Sequence, residues 1–195
     1  MRSRQTNKPD KYIVSECAKV LRDELPYNLH IFVNSVEFIA KVIDTLKLAP
    51  EAVKVVCSTS GESRQENQRK LGNAYPIGQP SDPAKKINFY TSTCFEGCDI
   101  FDPDGVTFIV SDGRKAHTLL DISTLFTQIC GRIRDSRYKA QIVHVYSTTK
   151  YSKAVTLDEF VAATQRTLAD AESYAAEINS LSEATRVKTL SKIPY

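Results

Sequence analysis

The segment Gln128-Ile129-Cys130-Gly131-Arg132-Ile133-Arg134 brings a glutamine, a helix-breaking glycine and two arginines into seven residues. A solvated surface needs neither a glycine nor a fixed glutamine beside its arginines. Two guanidinium groups held near one point offer forked donors, which suit planar-oxygen anions and phosphate above all. A second constellation is Thr91-Ser92-Thr93-Cys94-Phe95-Glu96-Gly97-Cys98-Asp99. Small hydroxyls and free backbone N–H groups can bind a phosphodiester oxygen without a clash. Gly97 lets the backbone turn or approach a ligand closely. Asp99 can accept from a ribose hydroxyl or hold an arginine. The plainer readings are a capped loop and surface ion pairs, with Asp135 the obvious partner for the arginines.

These residues need a frame, and 195 residues suffice for one domain, or for one domain with a helical extension. A hydrophobic fraction of 42% and a charged fraction of 25% are ordinary for a globular chain and exclude a disordered tail. The net charge of +3 permits nucleic-acid contact without arguing for it. Arg2, Arg4, Lys8 and Lys11 read as a flexible terminus. Five cysteines and no signal segment fit a reduced, cytoplasmic protein. Cys94 and Cys98 read as small buried side chains rather than as zinc ligands, since a zinc site needs closer pairs and a fourth ligand. No apolar run approaches the roughly 18 residues of a membrane span.

Strands and helices alternate along the chain. The pattern predicts a helix over 10–25 ended by Pro26, a strand at Leu29–Val33, and a helix from Val36 capped by Asn34 or Ser35 and closed by Pro50. A strand at Val53–Cys57 and a polar helix at Glu62–Leu71 follow. The Gly- and Pro-rich stretch 72–86 reads as loop. Strands are expected at Ile87–Thr91, Val106–Val110 and Gln141–Tyr146, with a helix over Leu119–Ile129. From Thr156 the chain turns helical, so residues 1–154 form the lobe and 155–195 an extension. Short apolar strands alternating with helices mean an α/β fold with a mainly parallel sheet. Its sites are expected beyond the carboxyl ends of the strands, at Asn34 and Ser35, Ser58–Ser60, Thr91–Thr93 and Ser111–Gly113.

In this order, Thr91–Asp99 and Gln128–Arg134 resemble motifs V and VI of superfamily 2 helicases. The His30-Ile31-Phe32-Val33-Asn34-Ser35 segment resembles motif IV. Tyr90-Thr91-Ser92-Thr93 and the Gln-x-x-Gly-Arg-x-Arg pattern are similar to the origin-binding-protein type found in viruses and phages. The resemblance covers about residues 10 to 150 and implies a RecA-like three-layer lobe. It also implies roles: Arg132 and Arg134 as arginine fingers, Gln128, Gly131, Gly97 and Asp99 beside ATP, and Asn34, Ser35, Thr91, Ser92 and Thr93 on a DNA or RNA backbone. Many relatives space the two arginines three apart. Here they lie two apart and Asp135 takes the third position, so the resemblance leaves open which arginine is the finger.

No Gly-x-x-x-x-Gly-Lys-Ser/Thr loop occurs. Asp23-Glu24 imitates a metal-binding Asp-Glu box but falls in a helical stretch. The resemblance therefore implies ATP and Mg²⁺ held mainly by a separate N-terminal RecA-like lobe, expected upstream of Met1, with this lobe alone inactive. The alternative is a non-catalytic RecA-like module that binds nucleic acid or a partner protein. A Rossmann-type nucleotide enzyme is disfavoured, because Asn34-Ser35-Val36-Glu37 stands where a glycine fingerprint would follow the first apolar strand.

Overall fold

Short, mostly apolar strands joined by helices or crossing segments build a wholly parallel six-stranded sheet in this computed structural model, which describes residues 1–148 and 156–190. The elements in chain order are β1 (Arg2–Gln5), α1 (Pro9–Leu21), β2 (Asn28–Phe32), α2 (Val36–Leu46), β3 (Val53–Val56), α3 (Gly61–Leu71), β4 (Ile87–Tyr90), β5 (Gly105–Asp112), α4 (Thr127–Cys130), β6 (Ile142–Ser147), α5 (Leu157–Ser180) and α6 (Glu183–Leu190). The strand order is β1-β6-β5-β2-β4-β3. The chain divides into two compact units, Met1–Lys150 and Tyr151–Tyr195. In the second, α5 begins with a capping box between Thr156 and Glu159. No described helix is long and apolar enough to cross a membrane.

Period-two alternation sends the two halves of each strand's side chains to opposite faces. Leu29, Ile31, Val33, Val53, Val55, Ile87, Phe89, Val106, Phe108 and Val110 form one face. Ile13, Cys17 and Val20 of α1, Ile39, Val42 and Ile43 of α2, and Leu71 of α3 cover it. Phe32, Val56, Tyr90 and Ile109 form the other face, under Cys94, Phe95, Ile100, Phe126 and Ile129. The result is a three-layer α/β arrangement of RecA-like type.

Local chemistry sets the helix ends. Ser35 caps α2, its Oγ accepting from the Phe38 N–H at 3.2 Å. The helix stops at Lys47, which adopts the left-handed conformation at φ 50°, three residues before Pro50. Likewise α1 ends at Leu21, short of Pro26. Asp23 and Glu24 lie beyond it and pair with Lys86 and Arg22.

Two segments differ from expectation. Arg2–Gln5, expected to be flexible, is the edge strand β1, pairing in parallel with β6 from Arg2↔Val143 to Gln5↔Tyr146. The regular helix expected over Leu119–Ile129 is a wide π-type turn over Ile122–Phe126, followed by the single α turn of α4. The Asp121 carboxylate explains this entry. It accepts from the Ser123 N–H at 2.8 Å, the Ser123 hydroxyl at 2.7 Å and the Thr124 hydroxyl at 3.0 Å, which fixes a local turn that competes with an α start.

Candidate functional site

Beyond the carboxyl ends of the strands, Asn34 ties three loops together. Its Oδ1 accepts from the Ser92 N–H at 3.3 Å and its Nδ2 donates to the His117 carbonyl at 2.9 Å. The loops after β2, β4 and β5 are thus joined by one amide. Thr91 is buried, and its hydroxyl lies 3.0 Å from that of Thr93. Ser92 and Thr93 are exposed. Ser35 is buried and committed to capping α2. On the β5 side, Asp112 takes a forked pair from Arg114 Nε and Nη2 at 2.9 and 3.0 Å, and a bond from the Ser147 hydroxyl at 2.7 Å. Chiefly because of Arg114, its carboxyl is held well below the usual range.

The two sequence constellations meet on the second face. After β4 the chain makes a short 3₁₀ turn at Ser92–Cys94, then crosses to Ile100. There it pairs with the segment after α4: the Ile100 N–H donates to the Arg132 carbonyl and the Arg134 N–H to the Ile100 carbonyl, both at 2.9 Å. This isolated parallel bridge, Ile100↔Ile133, joins the two segments through two buried isoleucines. Gly97 sits at φ +72°, a backbone region that a β-carbon strains, and space beside it is open. Gly131 is different. Its φ is −98° and an added Cβ would meet only the Gln128 carbonyl at 3.7 Å, so the turn there does not depend on glycine.

The arginines divide sharply. Arg132 is 9% exposed and spends all three nitrogens inside the chain. Its Nε donates to the Gln128 carbonyl at 2.9 Å, Nη1 to the Cys98 carbonyl at 3.0 Å and Nη2 to Gln128 Oε1 at 2.6 Å. It therefore clamps the two segments. The Arg134 side chain is 47% exposed and forks onto Asp99 Oδ1, with Nε at 2.8 Å and Nη2 at 2.7 Å. The expected partner Asp135 takes no part in either pair. Arg137 pairs with Asp104.

A row of buried polar side chains escaped the reading of the sequence. The register sets Lys54 beside Asn88, Asn88 beside His30 and His30 beside Thr107, straight across four strands. Each is the lone polar residue in an apolar run, as in Leu29-His30-Ile31 and Val53-Lys54-Val55, and that pattern was the available signal. His30 Nε2 lies 2.8 Å from Asp102 Oδ2, and its Nδ1 lies 3.1 Å from the Tyr90 hydroxyl. Asn28 also donates to Asp102, at 3.0 Å. Burial pulls the His30 ring below its usual pKa, against the opposing pull of Asp102. Burial pushes Asp102 up, but the bonds from His30 and Asn28 outweigh it and leave it low. The neutral ring then donates from Nε2 to an ionised Asp102 and accepts the Tyr90 hydroxyl at Nδ1. Lys54 Nζ donates to the Pro80 and Asp82 carbonyls at 3.0 and 2.5 Å, and burial lowers its pKa. His30, Asp102, Tyr90 and Asn28 satisfy one another, while Lys54 and Asn88 are satisfied by backbone groups, so the row is structural.

Cys94 is buried and the Cys98 thiol donates to its carbonyl at 3.2 Å. Among the described residues no group of three or more His, Cys, Asp or Glu side chains could hold a metal ion. No protein-family model matches the chain, and no curated protein does. The functional reading rests on the residues and their geometry.

Proposed function

We propose that this chain is the C-terminal lobe of an ATP-dependent nucleic-acid helicase or translocase, working on nucleotide held by a separate RecA-like lobe. The observation that carries this reading is the Ile100–Ile133 bridge. It joins the Thr91–Asp99 and Gln128–Arg134 segments, whose residues and order resemble motifs V and VI, and it sets Asp99 against the half-exposed Arg134.

The two arginines then take different parts. Arg134 is the finger: its guanidinium is exposed, and exchanging Asp99 for a phosphate oxygen keeps a charge-assisted fork. Arg132 is a positioning residue that holds the loop through Cys98 and Gln128. Asp99 parks Arg134 between turnovers. ATP fits this donor set as a phosphate ligand of Arg134. The resemblance gives Mg²⁺ to the other lobe. Asn34, Ser92 and Thr93 offer amide and hydroxyl groups to a DNA or RNA backbone. Such contacts carry little sequence preference and weaken steeply with salt.

In the two-lobed protein, Arg134→Ala should lower ATP turnover on the order of 10³-fold or more with nucleotide binding largely kept. Arg132→Ala should lower turnover together with the melting temperature. Undiminished turnover in Arg134→Ala would overturn the assignment. The full engagement of Arg132 within the chain favours a second reading, a non-catalytic RecA-like module that binds nucleic acid or a partner protein. The presence of a phosphate loop and an Asp-Glu box upstream in the source gene decides between them.

A further inference from the structure

A cavity of about 340 Å³ opens where the edge strand β1 meets the helix-covered face of the sheet. The β1–β6 register sets Arg2 and Arg4 beside Val143 and Val145, and both arginines line the cavity. Both are exposed and, among the described residues, take part in no ion pair and no guanidinium hydrogen bond. Two half-buried tyrosines, Tyr12 and Tyr27, also line it, and among the described residues neither hydroxyl has a hydrogen-bond partner. Phe108, Val106, Ile142 and Val143 give it apolar lining. Met1 and Gln141 line it too, as does Glu16, which is only 8% exposed. Lys19 Nζ donates to its Oε1 at 2.7 Å, while Oε2 has no partner.

Each group asks for a different piece of one ligand. Two unpaired guanidinium groups at the mouth suit a phosphate. Tyrosine faces and an apolar lining suit a flat aromatic ring. A carboxylate oxygen with no partner in the chain can take an N–H donor, and the amino-bearing edge of a base supplies one. A bare phosphate leaves Glu16 and the tyrosines unused, and a cation is repelled by the arginines. The volume lies within the usual span for small-ligand sites, roughly 300–1,000 Å³.

We propose that this cavity is a nucleotide site: Arg2 and Arg4 take the phosphate, Tyr12 and Tyr27 flank the base, and Glu16 Oε2 accepts from its exocyclic amino group. The nucleotide is either free or a residue of a single strand. The site shares no residue with the Asp99–Arg134 region and does not depend on the helicase reading.

The test is an amide NMR titration of the full chain with CMP, with UMP and with a short oligo-dC strand. CMP should shift the Tyr12, Glu16 and Tyr27 resonances saturably. UMP, whose carbonyls would face Glu16, should bind about tenfold more weakly. The Arg2→Ala/Arg4→Ala double variant, on an exposed strand, should raise Kd at least about tenfold. Glu16→Gln, checked for an unchanged melting temperature, should erase the CMP preference. If only the oligonucleotide moves these resonances, the ligand is a strand and the site stands. If neither ligand moves them, or if the double variant binds as the parent does, the proposal is overturned. Equal CMP and UMP affinity in the parent overturns the role of Glu16. Should Glu16→Gln melt early, the CMP-to-UMP ratio of the parent decides that role alone.

Discussion

The two faces of the sheet are built by different rules. The face under α1, α2 and α3 carries apolar strand residues matched to the apolar stripes of long helices, with Arg2 and Arg4 at its β1 edge. The other face carries apolar residues at Phe32, Tyr90 and Ile109, but a polar row at Lys54, Asn88, His30 and Thr107. Its cover is the crossing segment after β4, the π-type turn and one α turn. Loops and broken turns leave backbone groups and side chains free to be arranged individually. A regular helix has no such groups to spare. The face with the irregular cover is accordingly where Asp99, Arg132 and Arg134 converge. The difference teaches that the first face supplies stability and the second spends part of its cover on polar geometry.

The sharpest way to break this contrast is to hollow out the first face. Phe108 is 1% exposed there, and Phe108→Ala should cost about 3–5 kcal/mol, read from urea unfolding. On the second face the arginines should separate. Arg132→Ala strips partners from the Gln128 amide oxygen and from two carbonyls and should cost about 1–3 kcal/mol, whereas Arg134→Ala, a surface pair, should cost under about 1 kcal/mol. Equal losses would erase the distinction between clamp and finger. Gly105 tests the polar row: a Cβ there would lie 2.9 Å from the His30 ring, so Gly105→Ala should destabilise by about 1–3 kcal/mol.

The smallest effect is a pH dependence. His30 is held neutral, its folded pKa below the ordinary 6.5, so the unfolded chain takes up the proton first. Stability should fall as pH drops below about 6.5, on the order of 1 kcal/mol per unit of separation between the two values. Asp102 is depressed below 3.8; its contribution is present above that value and is lost only as pH falls through the folded pKa. His30→Gln should flatten the limb between pH 6.5 and 5 in urea midpoints. An unchanged slope there would remove His30 from the account.

The strands that bury both faces were legible because each is an apolar run with turn chemistry at its ends. Ser35 was legible as a cap, and the Thr91–Asp99 and Gln128–Arg134 segments were legible as unusual compositions. Three things were not. The segment Arg2–Gln5 has no apolar pattern, since an edge strand exposed along its whole length needs none. Asp99 was legible as a carboxylate able to hold an arginine, but not which one: Arg134 lies 35 positions away, and a neighbour such as Asp135 is the natural guess until a loop crossing is known. The row from Lys54 to Thr107 depends on register, which single lone polar residues cannot reveal one strand at a time.

The order of the strands also sets a schedule for the chain's own making. Of the six strands of this sheet β1 is synthesised first, yet among the described residues it pairs only with β6, roughly 140 residues later, beginning at Arg2↔Val143. On a ribosome adding about 5–20 residues per second, β1 must wait several seconds without a partner. The central strands β2, β4 and β5 can pair earlier, so the sheet should assemble from its middle and close at this edge last. The polar, positively charged sequence Arg2-Ser3-Arg4-Gln5 is suited to that wait, because an unpaired apolar strand would be prone to aggregation in the meantime.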